Sequence, residues 1–172
     1  MTQWPIQQLV CDPEAASQHD AAHELKTVVA TGEDVAVRPT QAGLLVLGTS
    51  ELALERSVEA LLAVRPGLSV GKPQINYIPG EVVWLEPICH VVVDVPSTAA
   101  LHVAGDLRSR RAEVRSTRTV GTRALIEAEI PMAELFGYST SLRSIAQAPA
   151  SYEARYIGYK PSGPSKGRAD VA

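Results

Sequence analysis

Apolar and amphipathic stretches follow one another in the order strand, helix, strand, strand, helix, strand, and after a turn-rich joint the same order comes round again. Few architectures accept that order twice in 172 residues. The first run, residues 6–11, ends at Asp12-Pro13, a strand followed by a turn. Residues 14–30 carry an apolar stripe (Ala15, Ala22, Leu25, Val28, Val29) with Gly32 just beyond, which predicts a helix and its stop. Residues 35–38 and 44–48 predict two strands around the turn Gln41-Ala42-Gly43. Thr49 or Ser50 caps a helix over 51–64, whose Leu52, Leu54, Val58, Leu61 and Leu62 approximate the helical period. Residues 68–77 predict a strand broken near Gly71-Lys72-Pro73.

Residues 78–81 form the joint. Beyond it, 88–95 predict a strand ended by Pro96, 98–111 a helix, and 113–119 with 124–130 two strands joined at Val120-Gly121-Thr122. Residues 131–148 predict a helix with an interruption at Gly137 and Tyr138, and 151–159 the last strand. The repeat is one of topology rather than residue identity. Units of this order fold as ferredoxin-like βαββαβ sandwiches. The expected class is therefore α+β, with two tandem ferredoxin-like units at residues 1–80 and 81–160. Residues 161–172 (PSGPSKGRADVA) have no apolar periodicity and are expected to be a disordered tail. Hydrophobic residues make up 45% of the chain but aromatic residues only 5%, so Val, Leu, Ile and Ala must build both cores.

The net charge of −3 argues against a general nucleic-acid binder. It conceals an asymmetry: residues 1–81 hold 5 Lys and Arg against 10 Asp and Glu, and residues 82–172 hold 11 against 9. Two modules with different surfaces are implied. The first residues lack the pattern of a secretion signal, and no apolar run is long enough to span a membrane. Cys11 and Cys89 have no disulfide, zinc or nucleophile spacing, so a reducing cytoplasm is the expected compartment. The initial Met reads as a natural start, with a fragment as the alternative. His19 and His23 stand i,i+4 on the first predicted helix, but no third ligand is evident, and an exposed polar face is the expected reading. No catalytic group, cofactor or metal is expected.

The densest charge lies in residues 104–123, AGDLRSRRAEVRSTRTVGTR, where six arginines share the stretch with Asp106 and Glu113. Arg108, Arg110, Arg111, Arg115 and Arg118 are candidates for contacts to phosphates, which release counterions and give salt-sensitive affinity for RNA. The plainer alternative is a last helical turn complementing its dipole, followed by a solvated strand face. RNA binding requires the guanidinium groups to share one side and to be free of carboxylate partners. An RNA-recognition-motif mode is not expected, because the aromatic pattern is absent: Phe136 is the only Phe and falls on a predicted helix.

Five stretches resemble elongation factor G. GTSELALERSVEALL (48–62) and VGKPQINY (70–77) are similar to the helix start and following strand of that factor's third domain. LEPI (85–88), GDLRSRR (105–111) and ELFGYSTSLRS (134–144) are similar to its fifth. The resemblance covers residues 4–160, with the motifs in order. It departs from the family at Ala53, where the family has His; at Thr49-Ser50, where it has Met-Gly; at Arg108, where it has Asn; and at Ala112, where it has Gly. Nothing resembles the GTPase, second or fourth domains. Gly71-Lys72 is followed by Pro73 rather than the Ser or Thr of a phosphate-binding loop.

The resemblance implies a non-enzymatic module that binds the ribosome at the translation-factor site, acting in translation or its regulation. Its implied partners are large-subunit RNA and ribosomal proteins, and a separately encoded translational GTPase is a further one. No membrane or DNA partner is implied. Arg143, in the LRS of the second predicted helix, joins the RNA-binding candidates, with an internal salt bridge as its alternative. The alternative function is a protein-interaction or small-ligand-sensing module that kept the fold and lost the ribosome.

Overall fold

The computed structural model describes residues 4–163, which form two compact units dividing between Asn76 and Tyr77. The first unit comprises β1 (Ile6–Cys11), α1 (Gln18–Leu25), β2 (Val35–Thr40), β3 (Gly43–Gly48), α2 (Glu51–Val64), β4 (Ser69–Val70) and β5 (Gln74–Ile75). Its antiparallel sheet has the order β2-β3-β1-β4, with β5 also paired to β1. Alternation along the strands sends Ile6, Val10, Leu44 and Val46 to one face, where they are fully buried with Leu54 and Leu61 of α2. Ser50 caps α2 by accepting from the Ala53 amide at 3.2 Å.

The first helix is shorter than its apolar stripe predicts. The Asp12 carboxylate accepts from the Glu14 amide, and the Gln18 side chain accepts from the Asp12 amide. These bonds hold residues 12–17 in a loop, and Ser17 then caps α1. At the other end Thr27 turns its hydroxyl onto the Glu24 carbonyl, and the remaining turns are not helical. The broken strand over 68–77 becomes the two short strands β4 and β5, separated by Gly71-Lys72-Pro73.

The second unit comprises β6 (Ile78–Pro79), β7 (Trp84–Pro96), α3 (Ala100–Ser109), β8 (Glu113–Val120), β9 (Arg123–Pro131), α4 (Tyr138–Ala146) and β10 (Ser151–Pro161). Short 3₁₀ turns at Ser97–Ala99 and Met132–Leu135 precede the helices. The order is β10-β7-β9-β8, all antiparallel, with β6 beside β7. Both units are thus α+β and ferredoxin-like, with two helices against one face of each four-stranded path. Ile78 and Pro79 pair with Leu85 and Trp84, which draws the joint into the second sheet. Gly137, at φ 69°, breaks the second predicted helix where the sequence suggests. Pro161 still belongs to β10, and most of the expected tail, residues 164–172, lies outside the described residues.

Val91, Val93, Val95, Val103, Leu107, Ile126, Ile130 and Leu142 form the second core. Tyr138 is its largest side chain. It is fully buried and stacks edge-on against Tyr152 at 5.0 Å.

Gly43 opens β3 at φ 135°, and a Cβ there would collide with the Val10 carbonyl oxygen. Gly43→Ala therefore disrupts β1 against β3, and its expected cost in urea unfolding is at least about 2 kcal/mol.

Candidate nucleic-acid interface

The six candidate arginines take three different positions. Arg108 lies in the last turn of α3 and Arg143 on α4, both exposed, and neither guanidinium has a hydrogen-bond or ion-pair partner among the described residues. Arg110 lies in the seam between those helices. Its Nε donates to the Asp106 carboxylate at 2.9 Å, its Nη1 to the Glu134 carbonyl at 3.1 Å and its Nη2 to the Ser141 hydroxyl at 2.9 Å. Its guanidinium also stands 5.2 Å from the centre of the Tyr138 ring. Residues two apart on a helix point about 200° apart. Since Asp106 and Ser141 face the seam, Arg108 and Arg143 point out of it on opposite flanks.

Arg111 adopts the left-handed conformation at φ 62° and forks onto Glu86 at 2.7 and 3.0 Å, while its Nε donates to Glu134 at 3.0 Å. Glu86, on β7, has a side chain only 5% exposed. A charge so buried requires this two-pronged partner. Arg115 and Arg118 lie on β8 and reach across the open sheet face. Arg115 meets Glu113 at 2.5 Å and Glu129 at 3.2 Å, and Arg118 meets Glu127 at 2.7 Å. Lys160 also pairs with Glu129, and Lys160 first, then Arg115, holds that carboxyl below its ordinary range. Arg123, which completes the stretch, bonds Asp94 and the Pro149 carbonyl.

The arginine stretch is therefore not one cationic rim. Arg110, half-buried, and Arg111, whose side chain is 35% exposed, are clamps that join the end of α3 to β7, the 3₁₀ turn and α4. Arg115 and Arg118 lie within a ladder of mixed charge. Sequence reasoning missed Glu86, whose pairing with Arg111 spans 25 positions; the only signal was an acid set between apolar residues in LEPI. The Asp106–Arg110 pair was accessible from its i,i+4 spacing.

Elsewhere the chemistry is quiet. Burial pushes the Cys89 thiol up to about 12, which removes it as a nucleophile near neutrality. The His19 and His23 rings meet edge-on at 4.6 Å. Among the described residues no group of three or more His, Cys, Asp or Glu side chains is placed to hold a metal. No helix among them is long and apolar enough to cross a membrane.

Residues 83–169 match the family described as Elongation factor G C-terminus. The chain belongs to that family. Similar proteins include Elongation factor G 1 of Desulfotalea psychrophila (strain LSv54 / DSM 12343), 39% identical over 93 residues, which cover 54% of this chain and 13% of the relative. Elongation factor G 2 of Anaeromyxobacter dehalogenans (strain 2CP-C) is 35% identical over 113 residues, covering 66% and 15%. The chain thus spans only 13–15% of the length of these curated relatives. Because 113 residues exceed the 96 from Tyr77 to Ala172, the second alignment also reaches into the first unit. In fold, the chain resembles the crystal structure of ttk003000868 from Thermus thermophilus, with a TM-score of 0.60 at 14% identity, over 95% of this chain and 42% of that one. The family gives a translation-factor-like module, and no part of the chain resembles that factor's GTPase domain.

The clamp arginines are separable from the free ones by stability. Arg111→Ala leaves Glu86 buried without its counter-ion and is expected to cost about 3 kcal/mol. Arg108→Ala is expected to change stability by no more than about 0.5 kcal/mol. Urea unfolding of the two variants checks the contrast.

Proposed function

We propose that the chain acts as a non-enzymatic translation-factor module that docks on the ribosome at the site translation factors use, with large-subunit RNA and ribosomal proteins as its partners. Membership of the elongation factor G C-terminus family supports this reading. The docking face is the outer side of α3, and Gly105 carries the argument. A glycine inside a helix costs about 1 kcal/mol relative to Ala. A Cβ at Gly105 would meet nothing within 4 Å, so packing within the chain does not account for it. A surface that lets another molecule approach the backbone does. Around it stand Leu101, 86% exposed, and the exposed His102 and Arg108.

Arg108 is the free phosphate contact of this face, whereas Arg143, equally free, points to the opposite flank and stays off it. Arg118, 67% exposed and held by one surface ion pair, lies on the open sheet face and therefore off this docking face. Arg110, Arg111 and Arg115 serve the fold first. The acidic first unit faces protein. Lacking a phosphate-binding loop, the chain either competes with a full factor or complements a separately encoded GTPase. The capture of four candidate arginines by carboxylates favours the second reading, a protein-interaction or ligand-sensing module that has left the ribosome.

Pelleting with ribosomes decides between them. Under the first reading binding weakens as salt rises, with a log–log slope of roughly −1, as for one phosphate contact. Arg108→Glu lowers affinity about tenfold or more. Gly105→Gln also lowers it, while raising thermal stability, since Gln is the better helix former. No pelleting at low salt leaves the second reading, and pelleting indifferent to both substitutions overturns α3 as the docking face.

A further inference from the structure

The second sheet has two edges, and they are protected unequally. β8 is irregular between Val114 and Ser116, and the charges at its start are already paired within the chain. In the first unit, the edge strand β2 carries Pro39, which has no amide hydrogen to offer. β10 has neither protection along its first half. It runs 11 residues, its irregularity comes only between Tyr156 and Gly158, and its proline is its last residue. Glu153, Ala154 and Arg155 are all exposed. Neither Glu153 nor Arg155 has an ion-pair partner among the described residues. A long, regular, unprotected edge is a template for another strand.

We propose that β10 pairs antiparallel with β10 of a second copy across a two-fold axis at Ala154, joining the two second-unit sheets into one. The charge pattern selects the partner and the register. In an antiparallel pair, residues that turn their amide groups to the neighbour must meet residues that do the same, so a self-paired strand is centred on a residue. Centred on Ala154, Glu153 faces Arg155 of the second copy, twice by symmetry, and Tyr152 faces Tyr156, also twice. Centred one residue earlier, Glu153 meets Glu153; one residue later, Arg155 meets Arg155. Like charges directly opposite destabilise a sheet and opposite charges stabilise it. A self-complementary patch of this kind is what a two-fold contact requires. The strand contact alone is small, so the dimer belongs to the weak, concentration-dependent class.

Sedimentation of the full chain across the micromolar to millimolar range provides the first test. A reversible monomer–dimer equilibrium is expected. Arg155→Glu turns both attractive pairs into repulsive ones and should weaken the dimer about tenfold or more. The double exchange Glu153→Arg with Arg155→Glu restores opposite charges in the same register and should recover most of that loss. A chain that stays monomeric, a dimer indifferent to Arg155→Glu, or a double variant no better than the single one would each overturn the proposal.

A second measurement does not depend on these charges. Residues directly opposite lie with Cα atoms about 4.5–5.5 Å apart, within the about 4.4–6.8 Å that a disulfide spans. In a Cys11→Ser background, Ala154→Cys should give a covalent dimer on oxidation with copper phenanthroline. Failure to cross-link at concentrations where the parent sediments as a dimer would place the contact elsewhere.

Discussion

The second unit depends on one requirement: Glu86 must not be left alone. Its carboxylate is buried at the start of the long central strand, and only a forked cation can satisfy both oxygens there. Arg111 supplies that fork by leaving the helix in a left-handed turn, and so fixes where α3 ends and β8 begins. Its third nitrogen takes Glu134, and Arg110 takes the Glu134 carbonyl, Ser141 and the Tyr138 ring. Two adjacent arginines thereby tie four segments to one another. A density of positive charge that suggests polyanion binding is, for this pair, a device for internal assembly.

The distinction explains what the sequence revealed and what it did not. Element order and type were legible because they follow from periodicity: the alternation of β9, the buried stripe of Val103, Ala104 and Leu107, and the glycine break before α4. Helix ends were less legible. α1 begins late because the Gln18 side-chain amide bonds both the amide and the carbonyl of Asp12, an arrangement no stripe of apolar residues announces. The charged residues were least legible. An arginine that is free and one that is clamped look alike in a string, and the difference lies in a partner across the fold. Asp106 could be paired with Arg110 from helical spacing. Glu86, Glu127 and Glu129 needed the strand register.

The same pairing sets the electrostatic character of the surface. With four candidate arginines matched to acids, the basic excess of the second half reduces locally to a few free guanidinium groups. Under the proposed docking only Arg108 among these would meet the RNA, which is closer to a positioned contact than to a polycationic coat. Few charges give weak salt dependence, so shape must supply the remainder. Gly105 fits that division of labour, since it contributes no charge and no packing but leaves room at the backbone.

Edge pairing through β10 and docking through α3 are compatible because they use different parts of one sandwich. α4 packs over β10, whereas α3 packs over β8 and β9. A two-fold axis perpendicular to the sheet keeps the helices of both copies on the same side. The two α4 helices then flank the axis, and the two α3 faces lie outward of them, turned the same way. Under the proposed docking, two weak faces held in one orientation would make the second contact on an extended polyanion intramolecular, and avidity would then replace the charge density that each copy spends on its own fold. A ribosomal site that admits one copy excludes this mode. Self-association and docking would then compete, and concentration would decide which state prevails.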